Sequence, residues 1–260
     1  MSQTLKIVTI QSDLIWENPE QNLLQFSKKI KAILEPVDII VLPEMFTSGF
    51  TMQPAHVAET MNGKTVQWLK ALAKEKDAAI TGSLVIQEAG KFYNRLIFMY
   101  PNGTLETYNK RHTFTLAGEQ KEYSKGDKQL VVTYKNWRIC PLVCYDLRFP
   151  VWSRNTQDYD VLIYVANWPK VRIKAWNVLL QARAIENMSY CIGVNRVGLD
   201  EKEIEYSGNT AVYNVLGDKI SLTLPDTEIT EIITLSKQHI EKNRRHLGFL
   251  KDKDAFNLIK

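Results

Sequence analysis

Short apolar runs rich in β-branched residues alternate with amphipathic stretches along most of this chain. Leu5 to Ile10 is such a run and predicts a strand. Asn18-Pro19 then predicts an N-cap with proline at the first helical position. Behind it Leu23, Leu24, Phe26, Ile30, Ile33 and Leu34 recur at helical spacing, so a helix is expected to about Leu34. Val37 to Leu42 is continuously apolar and stops at Pro43, which predicts a buried strand with a functional loop at its end. A second helix is expected over Thr65 to Lys74, followed by strands at Ala78 to Ile86, Phe92 to Tyr100 and Thr104 to Tyr108. Asn102-Gly103 between the last two is a strong hairpin signal. Residues 109 to 127 carry no clear period and predict a long loop, a feature that is often functional in compact domains.

The second half repeats the alternation. Leu130 to Tyr134, Trp137 to Val143, Val161 to Val165 and Tyr190 to Asn195 read as strands, and Ala175 to Asn187 as a helix. Residues 208 to 222 predict a hairpin turning at Gly217, and Glu231 to Leu235 a last strand. From Ser236 onward the chain reads as a tail of mixed charged and apolar residues. No Gly/Ser/Pro-rich linker, repeat or low-complexity stretch interrupts the series. One α/β domain over residues 1–260, with helices outside two sheets, is the simplest arrangement.

Composition narrows the function. The 260 residues are 45% hydrophobic and 24% charged with both signs interspersed, which suits a packed core. The net charge is +4, and the densest basic run is Lys242-Asn243-Arg244-Arg245-His246. That run is too short for a phosphate backbone and reads as a solvated helix face, so nucleic acid is not an expected partner. No apolar run approaches the roughly 20 residues of a membrane span. Three cysteines suggest no disulfide framework, and Met1 to Lys6 does not read as a secretory leader, so a reducing cytoplasm is expected. No Gly-x-Gly-x-x-Gly or Walker-type loop marks a nucleotide site.

Cys144 closes the apolar strand Ile139 to Val143, and polar Tyr145-Asp146 follow it. Ligands of α/β folds gather at strand ends, so Cys144 is a candidate nucleophile. A buried structural thiol is the competing reading, and from spacing alone it is the commoner one. Cys140 and Cys144 do not make a metal pair, because His56, His112, His239 and His246 show no metal spacing. Scarce histidine also weakens a Cys-His dyad. Glu44 follows another strand in Leu42-Pro43-Glu44-Met45-Phe46, and Lys110 follows a third in Tyr108-Asn109-Lys110-Arg111-His112. Taken singly, Glu44 also reads as an ion-paired loop residue and Lys110 as an ordinary surface lysine.

As a set, a strand-end glutamate, lysine and cysteine in that order resemble the nitrilase superfamily of carbon–nitrogen hydrolases. The resemblance runs over nearly the whole chain, through Cys144-Tyr145-Asp146-Leu147-Arg148-Phe149-Pro150, Gln181 to Asn187 and Val194 to Gly198. Glu119, with Tyr123 and Gly126 behind it, resembles the family's second glutamate. Cys144 to Asn155 and Phe249 to Phe256 are most similar to the omega-amidase branch, which hydrolyses 2-oxoglutaramate and 2-oxosuccinamate. The late hairpin departs from the family, reading Ser207-Gly208-Asn209-Thr210 and Asn214-Val215-Leu216-Gly217.

The resemblance implies a four-layer α-β-β-α sandwich, no metal or organic cofactor, a small-molecule amide substrate and a homodimer or higher homo-oligomer, with a tail over 236–260 that contacts a partner subunit. It implies Cys144 as nucleophile, Glu44 as general base, and Lys110 with the Tyr145 backbone N–H as oxyanion donors. Glu119 would orient Lys110. A substrate carboxylate would need a cation, for which Arg172 is the first choice and Arg148 the second. Phe46, Phe114 and Trp168 are expected to line the apolar part of the pocket. Nitrile or N-carbamoyl hydrolysis, and a non-catalytic binding module, are the alternatives.

Overall fold

The computed structural model describes residues 3–258. The first two residues of the leader reading and the last two of the expected tail lie outside them. In chain order the first half runs β1 (Thr4–Gln11), α1 (Pro19–Lys31), β2 (Ile39–Val41), α2 (Pro54–Val57), α3 (Lys64–Lys76), β3 (Ala79–Glu88), β4 (Lys91–Met99), β5 (Leu105–Asn109) and α4 (Glu119–Glu122). The second half runs β6 (Val132–Tyr134), β7 (Trp137–Val143), α5 (Pro150–Ser153), β8 (Val161–Ala166), α6 (Ile173–Asn187), β9 (Tyr190–Asn195), β10 (Val197–Leu199), β11 (Glu205–Ser207), β12 (Ala211–Tyr213), β13 (Ile229–Ser236) and α7 (Lys237–Leu247).

Two large sheets result, in the orders β13-β1-β2-β3-β4-β5 and β12-β9-β8-β7-β6. Period-2 alternation decides which way each side chain points. In the first sheet Leu5, Ile7, Ile39, Val41, Leu96 and Phe98 face the second sheet. Their neighbours Val8, Ile10, Ile40, Leu42, Ile97 and Met99 face outward and pack with Leu23 and Phe26 of α1 and Leu69 of α3. Beyond the second sheet, Trp176, Leu180 and Ala184 of α6 close the other side. The chain is therefore a four-layer α-β-β-α sandwich, as the resemblance implies.

The N-cap at Asn18 forms as expected, its side chain accepting from the Gln21 N–H at 3.1 Å, with Pro19 at the first helical position. The Asn102-Gly103 hairpin also forms, Gly103 taking φ +81° and the Tyr100 N–H bonding the Thr104 carbonyl at 2.9 Å. Two elements differ from expectation. Residues 109–127 contain a short 3-10 turn and α4 instead of continuous loop. The segment after Ser236 begins with a helix, α7, capped by Ser236. Only Ile240 of α7 is buried, so its sequence carries almost no apolar stripe to betray a helix. Lys242, Arg245 and His246 of the basic run are exposed on it, while Arg244 turns inward to Asp160 and the Tyr159 carbonyl.

Candidate active site

The strand ends of both sheets converge on one buried cluster. Glu44 follows β2, Lys110 follows β5, Glu119 opens α4 and Cys144 follows β7; all four are buried. Lys110 is the hub. Its Nζ donates to Glu44 Oε1 at 2.9 Å and to Glu119 Oε1 and Oε2 at 3.0 and 2.9 Å. Glu44 is held further by Asn94 Nδ2 at 2.7 Å and by the Asn167 backbone N–H, which reaches Oε2 at 2.8 Å. Asn167 also donates from its side chain to the Glu44 carbonyl at 2.6 Å, and its own carbonyl lies 3.9 Å from Cys144 Sγ.

Backbone geometry aims these groups. Cys144 takes φ +43° and so does Met45, the residue after Glu44. A side-chain-bearing residue in that region costs roughly 1–3 kcal/mol, a strain commonly stored at functional sites. Asp146 fastens the turn after Cys144. Its fully buried carboxylate accepts from the Val143 N–H at 3.0 Å, Tyr108 OH at 2.8 Å, the His112 N–H at 3.0 Å and His112 Nδ1 at 2.7 Å. Tyr108 and His112 flank Lys110, so one carboxylate locks the cysteine turn to the lysine strand end.

Charge explains the protonation states. Burial pushes the Cys144 thiol well above its ordinary pKa; Glu44 reinforces this and outweighs the opposing pull of Lys110. Burial opposes the Lys110 charge, but Glu119 and Glu44 together outweigh it and hold the ammonium protonated. Burial raises Glu119, with Glu44 adding to the rise and Lys110 resisting it. At neutral pH the resting site thus holds a thiol and an ammonium.

A cavity of about 420 Å³ opens above Cys144 and Lys110. Phe114, Tyr145 and Trp168 line it, and so do Arg148 and Arg172. The Arg148 guanidinium stacks over Trp168 at 4.8 Å and that of Arg172 over Phe114 at 5.1 Å. Among the described residues neither arginine forms an ion pair with an Asp or Glu. Phe46 is a correction. It is fully buried on the outer face of the first sheet, edge-on to Phe26 at 5.5 Å and beside Trp68 at 5.9 Å. The chain turns at Met45, and Phe50 takes the place at the cavity wall, 5.0 Å from Lys110 Nζ. Sequence reasoning also missed Trp16 and the β10–β11 hairpin, which brings Lys202, Ile204 and Tyr206 to the cavity. No group of three or more His, Cys, Asp or Glu among the described residues has an arrangement that could hold a metal.

Residues 6–245 match the carbon–nitrogen hydrolase family, and the chain belongs to it. Within that family it is 42% identical to the omega-amidase YafV of Yersinia enterocolitica, over 98% of this chain and 99% of that one. It is 30% identical to a 2-oxoglutaramate amidase of Bacillus subtilis, over 81% of this chain and 83% of the other. A CN-hydrolase superfamily protein of Xanthomonas campestris, solved with an arsenic adduct in its active site, superposes with a TM-score of 0.96 at 37% identity, covering 99% and 100% of the two chains. Nit3 of Saccharomyces cerevisiae, from the nitrilase superfamily, shares the fold at a TM-score of 0.85 and 23% identity, over 95% of both chains.

Proposed function

We propose that this protein hydrolyses the side-chain amide of small ω-amidodicarboxylates, 2-oxoglutaramate and 2-oxosuccinamate, to the dicarboxylate and ammonia. The observation that carries the reading is a buried thiol beside a carboxylate–ammonium cluster, under a cavity with two arginines that have no carboxylate partner among the described residues. A neutral amide end belongs at the cluster, and an anionic end belongs at the arginines. The names of the relatives in Yersinia and Bacillus support the same substrate class.

Because the thiol rests protonated, it needs a base at the moment of attack. Glu44 takes the Sγ proton as Sγ bonds to the amide carbon. The oxyanion accepts from Lys110 Nζ and the Tyr145 backbone N–H, which lies in the first turn after β7, where such groups lack helical partners. Glu44 then gives its proton to the nitrogen, the C–N bond breaks, and ammonia leaves a thioester on Cys144. Water next yields a proton to Glu44 and attacks the thioester. The C–S bond breaks, and the proton returns to sulfur. Glu119 keeps Lys110 charged and aimed. Arg172, and after it Arg148, receives the substrate carboxylate.

The reading extends to a homodimer in the cytoplasm, with the end of the chain beyond α7 reaching the second subunit. Exposed Val151, Val178 and Ile185 on helices near the site, and an odd number of cysteines, support it. The test is a panel of 2-oxoglutaramate, a nitrile and an N-carbamoyl amino acid, with Cys144→Ala as control. Preferred ammonia release from 2-oxoglutaramate, absent in a normally folded Cys144→Ala, is expected. Faster turnover of either competitor, or activity without the thiol, would overturn the proposal.

A further inference from the structure

The two oxygens of Glu44 are not equivalent. Oε1 accepts from Asn94 Nδ2 at 2.7 Å and from Lys110 Nζ at 2.9 Å, which fills both of its lone pairs. Oε2 accepts from the Asn167 backbone N–H alone among the described residues, at 2.8 Å. One lone pair of Oε2 is therefore open.

Asn94 lies within β4 and is buried, at 1% exposure. Its carbonyl takes the Lys110 N–H at 3.0 Å, so it sits at the root of the lysine strand end. Its Nδ2 also faces Glu119 Oε1, but at 3.4 Å, so its hydrogen bond goes chiefly to Glu44. Its Oδ1 is buried with no partner among the described residues. The reversed amide would turn that oxygen toward both carboxylates, so the donor-inward orientation is the one the cluster selects. A buried acceptor left unsatisfied is unusual and invites a functional account.

We propose that Asn94 is a positioning residue that makes Glu44 Oε2 the proton carrier. With Asn94 and Lys110 occupying Oε1, only Oε2 can take the Cys144 thiol proton as the S–C bond forms. The same oxygen delivers that proton to the nitrogen as the C–N bond breaks. This rests on the thiol–carboxylate chemistry proposed above, but not on the identity of the amide. The titratable groups facing Glu44 are Lys110 from the end of β5, Glu119 from α4 and Cys144 from the end of β7. Behind Glu119 is Tyr123, whose hydroxyl is committed to the Thr51 carbonyl at 2.8 Å.

The experiment compares Asn94→Leu and the near-isosteric Asn94→Asp with wild type. One readout is the pH profile of kcat/KM on 2-oxoglutaramate. The other is the pH dependence of Cys144 alkylation by iodoacetamide, followed by mass spectrometry, which needs no amide hydrolysis. Loss of a donor to a carboxylate should move the acidic limb of both profiles up by about one pH unit, with alkylation roughly tenfold slower on that limb and KM within about twofold. Asn94→Asp should lose at least as much, since its ionised form presents an acceptor in place of the donor. A uniform loss at every pH with the limb unmoved, or a wild-type profile in Asn94→Asp, would overturn the proposal. If wild type proves inert towards 2-oxoglutaramate, the substrate reading alone fails, and the alkylation limb still decides the role of Asn94.

Discussion

Removing the Arg172 guanidinium should separate substrate recognition from chemistry. Its cation lies at the cavity wall over Phe114 and is half-buried, while Arg148 is the more exposed of the two. A hydrogen bond to a charged group contributes about 1.5–3 kcal/mol. Arg172→Ala should therefore lower kcat/KM for 2-oxoglutaramate by roughly 10- to 150-fold, mostly through KM. The same substitution removes a cation–π contact with Phe114, which at a partly exposed site is worth about 0.5–1 kcal/mol. That loss loosens the wall for any substrate, so a neutral amide of similar length should fall by only about two- to fivefold. The ratio of the two effects is the informative quantity. Arg172→Lys should recover part of the loss, because it keeps the charge and gives up the planar fork. Steady-state ammonia release on both substrates measures all of this. An equal fall on the anionic and neutral amides would refute the assignment, and Arg148→Ala would then be the next variant to compare.

Glu119→Gln tests whether the second carboxylate carries a stability cost. Its carboxyl is raised first by burial and then by Glu44, so the folded state holds its proton more tightly than the unfolded state. Stability from this group is present below the unfolded value and is lost as pH rises through the raised folded value. Gln does not titrate, so its melting temperature relative to wild type should improve between pH 4 and pH 8, while turnover falls by up to about 100-fold as Lys110 loses its aim. A pH-independent difference in melting temperature would contradict the shift. Phe46→Ala should cost about 3–5 kcal/mol in urea unfolding, because the ring is fully buried and a Cβ on Gly82 would already meet it at 3.0 Å. Phe50→Ala should instead raise KM with a much smaller loss of stability, and the reverse pattern would return Phe46 to the cavity wall.

The strands were the most legible part of the fold. Trp137–Val143 and Tyr190–Asn195 have the bounds their apolar runs predict, because a largely apolar run between polar residues leaves little choice of where pairing stops. Glu44, Lys110 and Cys144 were legible as strand-end residues, and the sandwich brings those strand ends together. What periodicity could not supply is direction within turns. Phe46 and Phe50 stand four residues apart in the same turn segment, and the left-handed Met45 decides which ring enters the core. Asn94 looks like any polar position in a strand until the partner of its amide is known. Helix α7 escaped for the opposite reason, since one buried residue gives no period at all.

The cluster straddles the two sheets, and this has a mechanical consequence. Glu44 and Lys110 belong to strand ends of the first sheet, while Cys144 and Asn167 follow strands of the second. Sliding of one sheet against the other would change the separation of Glu44 and Cys144 directly. Two fully buried polar links oppose it: Asn167 donates twice across to Glu44, and Tyr108 of the first sheet donates to Asp146 beside Cys144. Buried groups left unpaired cost far more than the bonds contribute on average, so both links resist breaking. Near-attack geometry tolerates errors of only about an ångström. The strained φ values of Cys144 and Met45 fit this arrangement, because Met45 follows Glu44, whose carbonyl takes a cross-sheet bond from Asn167, and Cys144 lies two residues before Asp146, which takes the bond from Tyr108.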